Sequence, residues 1–310
     1  MLNNSQSIAK SLVRTCLKQI RVKHSKTLIN NSRNSSFLPF GGFGDILRLC
    51  YTTEAIQEAE KTASSVDVDN LELLQRHSKD WWDPVGSMKP LHTMNHLRVP
   101  FIRDGLISTG VVAKNAKFPG ILEGLNILEV GCGGGILTEA LARLKANVTA
   151  IDPSLELISV AQEHLQCNPE LSQRINYLQE TIEVHSVKNS EKYDAVILSE
   201  VIEHVNDQEN FLKMCIGAVK SGGSVFLSTL NKTTLSYFLG IILAQDVLKL
   251  LPKNTHEWDK FISPTETQRI LEKNNCSVIM VNGLLYCPLN NVWEWSNSTD
   301  VNYIQHAIKH

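Results

Sequence analysis

Residues 126–152 read NILEVGCGGGILTEALARLKANVTAID, and no other stretch of the chain restricts its fold so tightly. Ile127, Leu128 and Val130 form a short apolar strand, after which Gly131, Gly133 and Gly135 let the backbone turn sharply and approach a ligand closely. A helix is expected from Ile136 to Leu144, opening with unsatisfied N–H groups, and a second strand from Val148 to Ile151 ends in Asp152. A strand, a glycine turn, a helix and a second strand closed by a carboxylate make half of a nucleoside-binding fold, with the acid placed to accept from two ribose hydroxyls.

Spacing narrows the choice of nucleoside. A dinucleotide fingerprint needs glycine at its first, third and sixth positions to seat a pyrophosphate on the helix N-terminus, and the sixth position here is Ile136. A nicotinamide-dependent oxidoreductase is therefore disfavoured. Glu129 two residues before the first glycine, three alternating glycines and Asp152 at the end of the next strand resemble the S-adenosylmethionine (SAM) methyltransferases of the Rossmann-like class. That resemblance implies an α/β fold, a mostly parallel seven-stranded sheet with helices on both faces. The periodicity agrees: strands at 127–130, 148–151, 175–178, 193–198 and 223–229 alternate with helices at 136–144, 154–166 and 207–219. A helix at 265–273 and a strand at 277–281 follow, and the run 220–223 reads as a C-terminal glycine cap feeding the fifth strand.

The first 44 residues carry seven Lys or Arg and no acid, and are rich in Ser and Asn. This is the composition of a mitochondrial transit segment, assigned to 1–50, with a linker over 51–70 and the methyltransferase domain over 71–310. A basic nucleic-acid arm is the competing reading; the absence of any aromatic before Phe37 and the acidic body behind it weigh against that. Past residue 50 there remain 22 basic and 31 acidic residues, a net charge near −9 that repels phosphate backbones, so no nucleic-acid partner is expected. Seven cysteines form no CxxC pair, which suits a reducing compartment and argues against structural zinc.

Residues 193–205, YDAVILSEVIEHV, place a strand whose carboxyl end lies beside the nucleoside site, followed by Glu200, Glu203 and His204 in an ExxEH pattern. On a helical turn those positions share one face. Two carboxylates and an imidazole suit Mg²⁺ or Mn²⁺ and leave positions open for substrate oxygens. A phenol with a pKa of about 10 is mostly protonated in neutral solution, and a cation holding both oxygens of a catechol would ionise one and aim it at the sulfonium methyl. Two other readings remain open: a metal-free base, with His204 oriented by a glutamate, and a purely structural turn.

Trp81, Trp82, Asp83 and Pro84 begin an aromatic, proline-broken stretch within an N-terminal lid over 71–120, which either docks over the pocket or packs on the sheet edge. Arg98 is its fixed cation, a candidate partner for the methionine carboxylate of SAM or else one half of a surface ion pair. Residues 234–262 form an apolar insertion, too short to span a bilayer, that covers the acceptor pocket, presses on a membrane surface or packs as an added helix.

Taken in order, WWDPVGSMKPLHTMNHLRVPFI, LEVGCGGGILTEALAR, AIDPS, YDAVILSEVIEHV, GGSVFLSTLNKT and DVNYI resemble the ubiquinone biosynthesis O-methyltransferase family over about residues 71–303. The resemblance implies SAM contacts at Arg98, Gly131, Asp152 and Ser199, and Mg²⁺ ligands at Glu200, Glu203 and His204. It also implies O-methylation of polyprenylated catechols, 3,4-dihydroxy-5-polyprenylbenzoate and demethylubiquinol. The implied place is the matrix face of the mitochondrial inner membrane, beside other ubiquinone-biosynthesis proteins. Ser199 stands where some relatives carry a larger residue, so its backbone rather than its side chain is the expected contact. A methyltransferase of another acceptor, with no need of the acidic triad, and a non-catalytic SAM-binding scaffold are the rival functions.

Overall fold

The computed structural model describes residues 65, 75, 78–112, 116–233, 260–287 and 289–310, all within one unit, Glu60–His310. The expected transit segment 1–50, all of the linker 51–70 except Ser65, and the apolar insertion as far as residue 259 lie outside the described residues.

Eight strands form one sheet in the order β3-β2-β1-β4-β5-β8-β6-β7. They are β1 Asn126–Val130, β2 Asn147–Asp152, β3 Ile175–Gln179, β4 Tyr193–Ser199, β5 Val219–Leu230, β6 Cys276–Cys287, β7 Val292–Ser296 and β8 Asn302–Lys309. Strands β1 to β5 pair in parallel, while β8 runs antiparallel to both β5 and β6, and β6 turns back on β7. The expected seven strands are thus corrected to eight. β8 escaped sequence reading because it is buried on both faces and carries Gln305 and His306 in its interior, so it shows neither an apolar run nor an alternation.

The helices are α1 Lys89–Ser108, α2 Ile136–Arg143, α3 Leu155–Gln166, α4 Ile182–Lys188, α5 Gln208–Ala218 and α6 Pro264–Lys273. Alternation along the strands sends Ile127, Ala195, Ile197, Phe226 and Ile304 into a core with Met94, Phe101, Leu106, Leu137, Leu141, Ile158 and Ala161 from α1, α2 and α3. Their neighbours Leu128, Val196, Leu198, Val225, Leu227 and Tyr303 face the opposite way, onto Ile182, Phe211, Leu212, Ile216, Ile270 and Leu271 from α4, α5 and α6. Each large apolar side chain so buried contributes about 1.5 to 3 kcal/mol relative to exposure. Side chains fix three helix starts: Ser154 accepts from Leu157 N–H, Asp207 from Asn210 N–H and Ser263 from Glu266 N–H.

Two local readings change. Residues 220–223 do not cap a helix; α5 stops at Ala218, and 220–223 lie inside β5, where the register against β4 slips between Tyr193 and Ala195. The stretch read as proline-broken holds the 20-residue helix α1. Pro90 occupies its first turn, where a missing N–H costs nothing, and the helix continues through Pro100 because its buried stripe Met94, Arg98, Phe101, Ile102, Gly105 and Leu106 anchors it to the sheet.

Candidate active site at the carboxyl ends of β1, β4 and β5

β1 lies between β2 and β4, where the order of the parallel strands reverses, and crevices at the carboxyl side of such a point hold ligands. The register brings the relevant turns together: Val130 pairs with Leu198, so Gly131 and Ser199 leave adjacent strands side by side, and Ser199 pairs with Ser228 of β5.

The glycine turn is tied to the end of β2. Gly131 and Cys132 donate their N–H groups to Ile151 O at 2.8 and 3.1 Å, and Gly133 N–H donates to Asp152 Oδ2 at 2.9 Å. Ser154 N–H holds Asp152 Oδ1 at 2.9 Å. Each carboxylate oxygen keeps a second lone pair for a ribose hydroxyl. Burial pushes the Asp152 carboxyl up to about 6, with the two N–H donors pulling against it. Gly131 has φ +71°, and a Cβ there would stand 2.5 Å from Val201 Cγ2, so the turn after β4 sits directly on the turn after β1.

The N-terminal stretch docks on this turn. A Cβ on Gly133 or Gly134 would lie 2.4 or 2.3 Å from the Trp81 ring, and Trp82 Nε1 donates to Gly134 O at 2.8 Å. Trp82 also stacks on His164 with centroids 3.3 Å apart, and His164 Nδ1 is 2.6 Å from Glu139 Oε1. Adjacent tryptophans that cannot share a face divide the work: one packs on the glycine backbone and the other clamps α2 and α3. Asn95 Nδ2 adds a bond to Ile136 O at 3.0 Å.

Arg98 is 4% exposed, which rules out the surface ion pair. Its Nε donates to Asn95 Oδ1 at 2.7 Å, Nη2 to Leu91 O at 3.2 Å and Nη1 to Ser199 Oγ at 2.8 Å. Burial lowers its pKa to about 10, opposed by the negative charges of Glu129 and Glu200. Glu129, facing α1 and α2, accepts from Thr138 Oγ1 at 2.5 Å and is raised by burial to about 7.

The acidic triad departs from its expected geometry. Only Ile202–His204 is helical, a single 3-10 turn, and Glu200 precedes it with φ +56°, so the three side chains do not share one α-helical face. The backbone must reverse at the end of β4 while Glu200 N–H stays bonded to Ser228 O at 2.9 Å. Burial first, and the nearby Glu203 second, push the Glu200 carboxyl up to about 8, against the Ser228 hydrogen bond, Arg98 and His204. Ser228 Oγ donates to Glu200 Oε1 at 2.8 Å, and Thr229 Oγ1 donates to the buried Glu203 at 2.8 Å.

Among the described residues no three His, Cys, Asp or Glu side chains are gathered into a group that could hold a metal ion. The nearby Glu203 nevertheless helps to raise the Glu200 carboxyl, and carboxylate and imidazole are donor types that a divalent cation accepts. Ser228 and Thr229 are the polar residues that sequence reading passed over. Their signal was present in GGSVFLSTLNKT, where two hydroxyls end a strand otherwise made of core residues.

A family profile described as "Methyltransferase domain" matches residues 106–281. The chain is 43% identical over 267 residues to the mitochondrial ubiquinone biosynthesis O-methyltransferase of Rattus norvegicus, covering 86% of this chain and 76% of that protein. It is 46% identical over 246 residues to the mitochondrial protein of the same name from Homo sapiens, covering 79% and 66%, a little under two thirds of the human length. The ubiquinone biosynthesis O-methyltransferase of Nitrobacter winogradskyi is 40% identical over 241 residues, covering 78% and 90%.

Proposed function

From a chain that belongs to the ubiquinone biosynthesis O-methyltransferase family, SAM-dependent enzymes of the Rossmann-like class, we propose methyl transfer from SAM to the ring hydroxyl of a polyprenylated catechol. The observation that carries this reading is the packing of Val201 on Gly131, which sets the acidic turn of β4 against the turn that holds the donor. A methyl group travels from sulfur to oxygen only over a short in-line path, so donor and acceptor must occupy adjoining turns.

The residues divide by role. Asp152 accepts from the ribose hydroxyls, the glycine turn admits the nucleoside by lacking side chains, and Arg98 offers positive charge on the donor side. Ser199 contributes the end of β4 to the donor pocket. Glu200, Glu203 and His204 would hold Mg²⁺ or Mn²⁺, which when bound favours the ionised catechol oxygen. Trp81 and Trp82 close the glycine turn against water, which keeps the electrophilic methyl from a competing nucleophile.

The acceptors in this reading are 3,4-dihydroxy-5-polyprenylbenzoate and demethylubiquinol. The setting is the matrix face of the mitochondrial inner membrane, with other ubiquinone-biosynthesis proteins as partners. Mitochondrial relatives support the compartment. Attachment in this reading is peripheral; among the described residues no helix is long and apolar enough to cross a membrane.

The test is methyl transfer from labelled SAM to a short-tail catechol, with and without EDTA, by the wild type and Glu200→Ala. Loss on chelation with recovery by Mg²⁺ supports the whole reading. Turnover indifferent to EDTA removes the cation, and SAM binding without any catechol turnover removes the enzyme.

A further inference from the structure

We propose that Ser228 is the positioning residue of this site: its hydroxyl aims the Glu200 carboxylate and joins it to Arg98. The inference rests on the acidic turn having the role given above. Ser228 is 2% exposed, at the carboxyl end of β5 opposite Ser199 in the register. It grips Glu200 twice, through its carbonyl to Glu200 N–H at 2.9 Å and through Oγ to Glu200 Oε1 at 2.8 Å. Glu200 stands at φ +56°, a left-handed conformation in which Cβ crowds the following carbonyl oxygen, so something must hold it. The double grip does so and fixes which way the carboxylate points.

Proton counting fixes the direction of the chain. Arginine only donates, so Arg98 Nη1–H points at Ser199 Oγ across 2.8 Å. With Glu200 ionised, Ser228 spends its single hydroxyl proton on that carboxylate, and across the 2.9 Å gap between the two serines Ser199 is then the donor. Arg98, Ser199, Ser228 and Glu200 therefore form one directed line from a buried cation to a buried acid. Each link polarises the next toward the carboxylate. The line leaves Glu200 Oε2 as the oxygen not spent on Ser228. The following residue, Thr229, performs the parallel service for Glu203.

Full-length wild type, Ser228→Ala, Ser228→Cys and Ser228→Thr provide the test, each read by Mn²⁺ binding, by S-adenosylhomocysteine binding and by kcat on a short-tail catechol. Loss of an outer-shell partner weakens a metal site about 10- to 100-fold. The expected result is such a loss of Mn²⁺ affinity in Ala and Cys, partial retention in Thr, and nucleoside affinity within about threefold of wild type, a change at the lower end of what one hydrogen bond contributes. Ala and Cys enzymes with wild-type Mn²⁺ affinity and kcat would overturn the inference. So would nucleoside binding that falls in parallel with kcat, since that marks general damage. Should the wild type bind no Mn²⁺, the cation reading fails by itself, and the order of kcat decides: Thr above Cys and Ala upholds the positioning role, equal kcat ends it.

Discussion

Arg98 and Ser199, 101 positions apart in the chain, meet across a 2.8 Å hydrogen bond between Nη1 and Oγ, which joins the first long helix to the end of the central strand β4. The guanidinium is buried and spends its donors on Asn95, Leu91 and Ser199.

Arg98→Met should cost on the order of 2 kcal/mol or more in urea unfolding, because hydrogen bonds to a charged group contribute about 1.5 to 3 kcal/mol. It should also weaken SAM binding. Arg98→Lys should recover only part of the loss, since one ammonium does not reproduce a planar fork that serves three acceptors. Equal unfolding curves for Lys and wild type would contradict this.

Nucleoside affinity should fall with acid. In the proposed function Asp152 accepts ribose hydroxyls as a carboxylate, and burial pushes its carboxyl up to about 6. Titration calorimetry with S-adenosylhomocysteine should therefore show weaker binding at pH 5 than at pH 8. Asp152→Asn should bind about tenfold or more weakly, the cost of one lost charged hydrogen bond, and lack the acid-side decline.

Glu129 gives stability the opposite slope. Its folded carboxyl titrates at about 7 against an ordinary value of 4.5, so between those limits the folded state binds the extra proton. The free energy of unfolding then falls as pH rises through that window. Melting temperatures from pH 5 to 7.5 should decline more steeply for wild type than for Glu129→Gln. Parallel lines would place Glu129 outside the balance.

Gly131→Ala should damage two turns at once. Its φ of +71° costs a residue with a Cβ about 1 to 3 kcal/mol, and the added carbon meets Val201 Cγ2 at 2.5 Å, beside Glu200. A lower melting point together with lower kcat is expected. Adding Val201→Ala should relieve the collision but not the dihedral, so recovery in the double variant should be partial.

Much of the domain could be read before folding. Strands β1 to β5 and helices α2, α3, α5 and α6 announced themselves because short apolar runs and 3.6-residue stripes depend only on neighbours along the chain. The donor half-site was legible for the same reason: glycines and Asp152 act within 27 consecutive residues. β7 and β8 were missed, since an edge strand of five residues and a strand buried with Gln305 and His306 carry no periodic mark. α1 was hidden by its prolines, which its sheet contacts override.

The sequence by itself determined the class of fold, the nucleoside half-site and the residues around which the acceptor chemistry is proposed, because local pattern and motif spacing suffice for these. Only the tertiary structure decided that Glu200 stands outside a helical face, that Arg98 is buried against Ser199, and that Ser228 and Thr229 hold the two acids. Those facts arise from strand register and from burial, which raises the cost of an unpartnered charge and so selects partners distant in the chain.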